Sequence, residues 1–239
     1  MTCKFNKKIV EWTLDAKFVA TIKKALRNDK DEIAGVLLFS NTECKDDICN
    51  KKLTNHKINR GDGSSVYTPD GLINFHTHPD SCYEAEEAVF GWPSGEDIAQ
   101  VMRFAKTGNL IHIVFSREGA YVIKVNKILI PKDIKILEKI FKMTHVYRSK
   151  DQSKQKKDFS NKFLINGNRT VDMWLSIVNG LTPSILHKLN NRFNKTSRVS
   201  SDNSRIFDVN LIRMGRTLTF KANFIDENCH AKSFGKSLE

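Results

Sequence analysis

The sequence predicts an α/β protein: a mixed sheet flanked by helices, followed by a small α+β module toward the C-terminal end. Three observations carry this reading. Short continuous apolar runs, "IAGVLLFS" and "GLINFHTH", have the length and composition of strands buried on both faces. Around them, apolar residues recur three to four apart, the period of a helix with one buried face. A charged, Ser-rich stretch, "SKDQSKQKKDFSNK", then interrupts the pattern and reads as a linker. On this basis residues 1–148 form the main domain, 149–163 the linker and 164–239 a basic α+β C-terminal module.

The elements follow in order. Thr13 is placed to cap a helix over 14–28, whose Leu14, Phe18, Ile22 and Leu26 fall four apart on one face. The polar break "RNDKDE" leads into "IAGVLLFS", with Glu32 at its entrance. Residues 41–70 are polar and turn-rich around one strand, "KLTNHKIN", and "GLINFHTH" then ends on two histidines. Ser94 caps the next helix, which carries Glu96 and Asp97 in its first turn and turns Ile98, Val101, Met102 and Ala105 inward; Gly108 ends it. "LIHIVFS" and "AYVIKVN" form a hairpin around "REG", and Pro131 opens a helix over "PKDIKILEKIFKMTHVYR". Past the linker come two short helices, "VDMWLSIVNGL" and "TPSILHKLNNRF", the second capped by Thr182 with Pro183 at its first position. Alternation in "RIFDVNLIRMGRTLTFKANFI" predicts a closing hairpin about Met214 and Gly215.

With 40% apolar content, the 239 residues can bury a real core. No apolar run approaches the roughly 18 residues that span a bilayer, and no opening segment resembles a signal peptide. The expectation is a soluble, intracellular, cytoplasmic protein. Cys3, Cys44, Cys49, Cys82 and Cys229 are odd in number and match no disulfide framework or paired CxxC site, so reduced thiols are expected. Net charge is +12, and residues 150–239 hold 16 Lys and Arg against 8 Asp and Glu. Such a segment favours nucleic acid, an acidic protein surface or solubility, and charge alone does not choose among them.

The chemistry gathers at residues 76–97. A hydrolytic zinc site needs about three nitrogen or oxygen ligands and an open position. His76 and His78, two apart on a strand, point to the same side and can converge on one ion. Asp97 supplies a third ligand if its helix folds back over the strand end. One carboxylate and two neutral imidazoles leave the ion net positive, which acidifies bound water. Glu32, at the mouth of the neighbouring strand, is the candidate base, and Ser94, one turn from Asp97, can donate to an oxyanion. Taken singly, Glu32 is a strand-edge charge, Asp97 a first-turn helix charge and Ser94 an N-cap; only their combination speaks for a site. His56, His112, His145, His187 and His230 have no ligand-like company. His112 reads as a satisfied core or interface histidine, and Trp92 as packing under the loop or lining the cleft, with core packing favoured.

Glu32 before "IAGVLLFS", then "HTHP", then "WPSGEDI" resembles the JAMM/MPN+ metalloprotease motif, a glutamate followed by His-x-His-Pro and Ser-x-x-Asp. Gly35 also matches the family's habit, and the order of elements agrees through about residue 148. The resemblance implies an MPN-like (cytidine-deaminase-like) sandwich and a zinc-dependent isopeptidase that cleaves ubiquitin, or a ubiquitin-like modifier, from lysine. It assigns Glu32 as acid/base, His76, His78 and Asp97 as ligands of Zn2+, and Ser94 as oxyanion support. The departure is a longer spacer: eighteen residues, 79–96, separate His78 from Asp97, with "DSCYEAEE" inserted before "GWPSGEDI". Glu84, Glu86 and Glu87 there would face a basic partner surface. Similar loops look like those of JAMM-type proteins encoded by large DNA viruses, which would place the protein in the host cytoplasm or virion. The competing expectation is a non-catalytic MPN-type interaction or nucleic-acid-binding protein working through the basic C-terminal module.

Overall fold

Strand partners, more than strand propensities, set the layout. The structure, a computed structural model, describes residues 9–14, 16–45, 48–61, 65–85, 88–145, 171–195 and 198–223. In chain order the elements are β1 (Ile9–Leu14), α1 (Ala16–Asn28), β2 (Ile33–Lys45), β3 (Ile48–Arg60), β4 (Ile73–Thr77), α2 (Asp80–Ala85) and α3 (Gly95–Lys106). They continue with β5 (Ile111–Phe115), β6 (Ala120–Val125), α4 (Pro131–His145), α5 (Val171–Gly180), α6 (Pro183–Asn194), β7 (Phe207–Ile212) and β8 (Leu218–Asn223). Among the described residues the strands form one eight-stranded sheet in the order β7-β6-β5-β4-β2-β3-β1-β8. It is mixed: β4 runs parallel to β5 and β1 to β3, and the other neighbours are antiparallel. The expected α/β class, a mixed sheet flanked by helices, is what the chain forms.

Period-two alternation divides the side chains between two cores. On one face Phe18, Ile22 and Leu26 of α1 pack on Ile73, Phe75, Ile113 and Phe115. There the Phe18, Phe75 and Phe115 rings meet edge to face at 5.4 to 6.2 Å. On the other face α3, α4, α5 and α6 cover β5, β6 and β7, with Met102, Phe141, Trp174, Leu186, Val114, Tyr121 and Val209 in one cluster. Asn74, His76 and His112 lie on strands whose intervening residues, Phe75 and Ile113, join the α1 side. Their side chains therefore point toward α3.

Three expectations are corrected. Thr13 does not cap α1; it lies within β1, and its hydroxyl meets that of Thr219 at 3.2 Å. The four-residue spacing drew Leu14 into the helix, whereas Leu14 pairs with Leu53 and Leu218 in the sheet. Nor do β7 and β8 form a hairpin: β7 pairs with β6 and β8 with β1, at opposite ends of the sheet. Alternation identified both as strands, but it carries no information about partners. Finally, the C-terminal elements do not build a core of their own. Trp174, Val178, Phe207 and Val209 are buried in the same cluster as α3 and α4, so they complete the main domain's apolar face. The expected linker, 149–163, lies outside the described residues.

The β7–β8 connection forces the sheet to curl. Residues 213–217 can span at most about 20 Å between Ile212 and Leu218, whereas eight flat strands would separate their outer members by roughly 34 Å. The crossing segment passes over α1, where Lys23 Nζ donates to the Gly215 carbonyl at 2.7 Å and Met214 packs against the α1-side core. The two sheet edges thus approach one another around α1.

Candidate metal centre

Four elements converge at the C-terminal end of β4. His76 is on β4, His78 follows it by two residues, and the ladder to β5 extends one step further through the His78 amide donating to Phe115 O at 2.8 Å. That keeps His78 in strand-like register, with both rings on the α3 side. Glu32 is held beside them from the start of β2. The Ile33 amide donates to Thr77 Oγ1 at 2.9 Å, and Glu32 O accepts from the Gly61 amide at 2.8 Å.

Asp97 arrives through a helix cap. Ser94 caps α3, its hydroxyl accepting from the Asp97 amide at 3.1 Å while the Ser94 amide donates to Asp97 Oδ2 at 2.6 Å. This capping box pins the carboxylate's rotamer. It uses a lone pair of the serine hydroxyl and leaves the O–H proton available to the cleft. Gly95 lets α3 approach α4 closely: a Cβ there would stand 2.7 Å from Glu138 O and Lys142 N.

The resulting donor geometry is compact. His76 Nε2 and His78 Nε2 are 3.1 Å apart, Asp97 Oδ1 is 3.3 Å from His76 Nε2, and Asp97 Oδ2 is 3.4 Å from His78 Nε2. A metal bound tetrahedrally at about 2.0–2.1 Å has neighbouring donors roughly 3.3 Å apart, close to the spacing of the two imidazole nitrogens and of each to one oxygen of the Asp97 carboxylate. Among the described residues His76, His78 and Asp97 are the group suited to a metal ion. The imidazole of His78 is oriented for it as well: its Nδ1 lies 2.9 Å from Gly91 O, which can only accept, so Nδ1 carries a proton and Nε2 is turned to the triad. Glu32 Oε1 is 3.9 Å from His78 Nε2, so the carboxylate flanks the triad and does not join it.

Burial pushes the Glu32 carboxyl above its ordinary value, against the opposing pull of His78 and His76. Burial pushes Asp97 the same way, but the two imidazoles outweigh it and hold that carboxyl well below the carboxylate range. Two acids within one cleft are therefore driven apart, one toward proton exchange and one toward permanent charge. The cleft, about 760 Å³, is lined by Ser65, Tyr67, Asp70, Glu96, Gln100 and Lys142 together with the donors.

The sequence reading placed Glu32, His76, His78, Ser94 and Asp97, and all five line this cleft. It missed three contributors. His112, read as a core histidine, is buried and contacts His76 Nδ1 through its Nε2 at 2.9 Å. Cys82 Sγ lies 3.8 Å from Glu32 Oε1. The third is the inserted loop, which folds as α2 and is anchored to the β5–β6 turn. Tyr83 donates to Glu118 Oε2 at 2.8 Å, the Gly91 amide donates to Glu118 Oε1 at 2.9 Å, and Arg117 pairs with Asp80 at 3.0 Å. Burial and the Glu118 charge raise the Tyr83 phenol, keeping it a donor. Glu84 is exposed, while Glu86 and Glu87 lie outside the described residues. Trp92 is buried between Phe90 and Trp174, as expected for core packing.

No protein-family model matches the chain, and no solved structure does. The chain is similar to the uncharacterized protein 3R of Frog virus 3 (isolate Goorha), 39% identical over 64 residues. That match covers 27% of this chain and 14% of the viral protein. No helix among the described residues is long and apolar enough to cross a membrane.

Proposed function

We propose that the chain is a zinc-dependent isopeptidase of the JAMM/MPN+ kind, hydrolysing the bond between ubiquitin, or a ubiquitin-like modifier, and lysine. The observation that carries the reading is the donor triad of His76, His78 and Asp97, spaced 3.1 to 3.4 Å apart with Glu32 beside it. The motif order Glu32, His-x-His-Pro, Ser-x-x-Asp points to the same chemistry, and the mixed sheet with helices on both faces is compatible with an MPN-like fold. Zinc, when bound, supplies Lewis acidity toward a carbonyl and a water. Glu32, raised toward neutrality by burial, takes the proton from the attacking water and delivers it to the departing lysine amine, a role worth about 10²–10⁴ in rate. Ser94 turns its hydroxyl proton toward the oxyanion, worth roughly 10²–10³ in kcat where such donors have been removed. Asp97, held ionised, keeps one negative charge among the donors.

Incubating the zinc-loaded chain with a panel of di-ubiquitin linkages tests this. Cleavage by wild type, lost in Glu32→Gln while zinc stays bound, is the expected result. Full activity in Glu32→Gln would rule the mechanism out. Salt-dependent DNA binding without any cleavage would favour the competing adaptor reading, in which the basic residues of 164–239 contact phosphate.

A further inference from the structure

We propose that His112 is a positioning residue which, backed by Asn74, locks His76 in the tautomer whose Nε2 lone pair faces the metal position. The inference rests on reading His76, His78 and Asp97 as metal ligands. A hydrogen-bond chain runs back from His76 to main-chain carbonyls that fix the directions at its far end. Asn109 Nδ2 lies 2.7 Å from Gly71 O and 3.3 Å from Leu72 O, two main-chain carbonyls that can only accept, so its amide orientation is fixed. The same nitrogen donates to Asn74 Oδ1 at 3.0 Å, and Asn74 turns its own Nδ2 to Pro69 O at 3.2 Å. Asn74 therefore presents an amide oxygen to His112 Nδ1, 2.7 Å away, and His112 must carry its proton there.

The His112 ring is buried between the rings of Phe104 and His76, at 5.7 and 5.0 Å, and among the described residues no carboxylate bonds to it. An imidazole so placed is neutral, because an unpaired buried charge is costly. With the proton on Nδ1, its Nε2 is an acceptor, and the partner 2.9 Å away is His76 Nδ1. His76 must donate. Its Nε2 is then a bare lone pair, 3.1 Å from His78 Nε2 and 3.3 Å from Asp97 Oδ1.

Register explains why these residues meet. Asn74 and His112 are directly paired across the parallel β4–β5 ladder, and His76, two residues along the same face, is the diagonal neighbour of His112. The relay differs from the usual carboxylate behind a metal-bound histidine in being uncharged throughout. It orients His76 without adding negative charge to the centre, so Asp97 stays the sole anion among the donors.

The test uses the full chain. Nitrogen-15 NMR of the histidine rings, on metal-free protein at mildly alkaline pH, should show His76 protonated on Nδ1. Zinc affinity, measured by competition with a chromophoric chelator, should fall about 10–100-fold in His112→Leu and in Asn74→Leu. Asn74→Gln keeps a neutral amide acceptor for His112 and should retain the tautomer and tight binding. The proposal is overturned if wild-type His76 carries its proton on Nε2, or if a folded His112→Leu binds zinc as tightly as wild type. Should His112→Leu fail to fold, equal zinc affinities for Asn74→Leu and Asn74→Gln would overturn it equally. A wild type with the expected tautomer that nevertheless binds no zinc defeats the metal reading and leaves the tautomer lock standing.

Discussion

At the scale of single residues, Glu32 and Asp97 make opposite contributions to stability, and this gives each a distinct signature. Glu32 is raised in the folded chain, chiefly by burial, so its ionisation costs stability above its folded pKa and costs nothing below its unfolded one. Glu32→Gln should therefore raise the melting temperature at neutral pH, with the gain fading as pH falls into the ordinary carboxylate range. A melting series from acid to neutral checks this, and a variant less stable than wild type at neutral pH would contradict it. Asp97 is depressed, so it stabilises metal-free protein above the ordinary carboxylate range, and that stability disappears as pH falls through its folded pKa. Asp97→Asn should flatten the acid side of the stability curve. The five candidate residues that line the cleft were named from their combination, two-apart histidines on a strand, a capping serine with an aspartate in the same helical turn and a carboxylate at a strand entrance, none of which speaks for a site alone. His112 was not readable, since its role depends on β4 lying beside β5 in one register, which no periodicity in "IHIVF" encodes.

At the scale of elements, the inserted loop works as a clamp on His78. Glu118 holds the Gly91 amide, and the Gly91 carbonyl holds His78 Nδ1. Glu118→Ala should weaken zinc binding by about 10-fold or more and speed amide exchange over 80–91, whereas Glu118→Gln should restore much of both. Unchanged affinity in Glu118→Ala would reduce the loop to a spacer. Gly91 itself admits no side chain, because a Cβ would overlap Tyr83 Oη. The α3–α4 contact is similarly strict: Gly95→Ala drives a methyl into main-chain atoms of α4 and should cost about 1–3 kcal/mol in denaturant unfolding. The helix of this loop escaped sequence reading because six residues are too few to show a helical period. The turn at "REG" was legible, with β5 and β6 forming the expected antiparallel pair.

At the scale of the whole molecule, one feature organises both cores: residues 171–223 complete a sheet and a helical layer begun by residues 9–145. Trp174, fully buried against Trp92, Tyr121 and Phe141, joins the two parts. Trp174→Ala should cost about 3–5 kcal/mol, measured by chemical denaturation. A chain ending at residue 148 should lack cooperative unfolding, and a sharp two-state transition from it would restore the separate-module picture. The charged stretch that suggested a boundary was a true change of composition. Composition, however, carries no information about which core the flanking segments join.

The placement of β8 against β1 has a consequence for synthesis. A ribosome-tethered chain that has released everything up to residue 212 still shows β1 as an open edge, whose final neighbour emerges about 200 residues after it. Until then, its unpaired amides can template pairing with another nascent copy. Translation pauses near the last strand should therefore increase aggregation, and a charged substitution on that edge should suppress it.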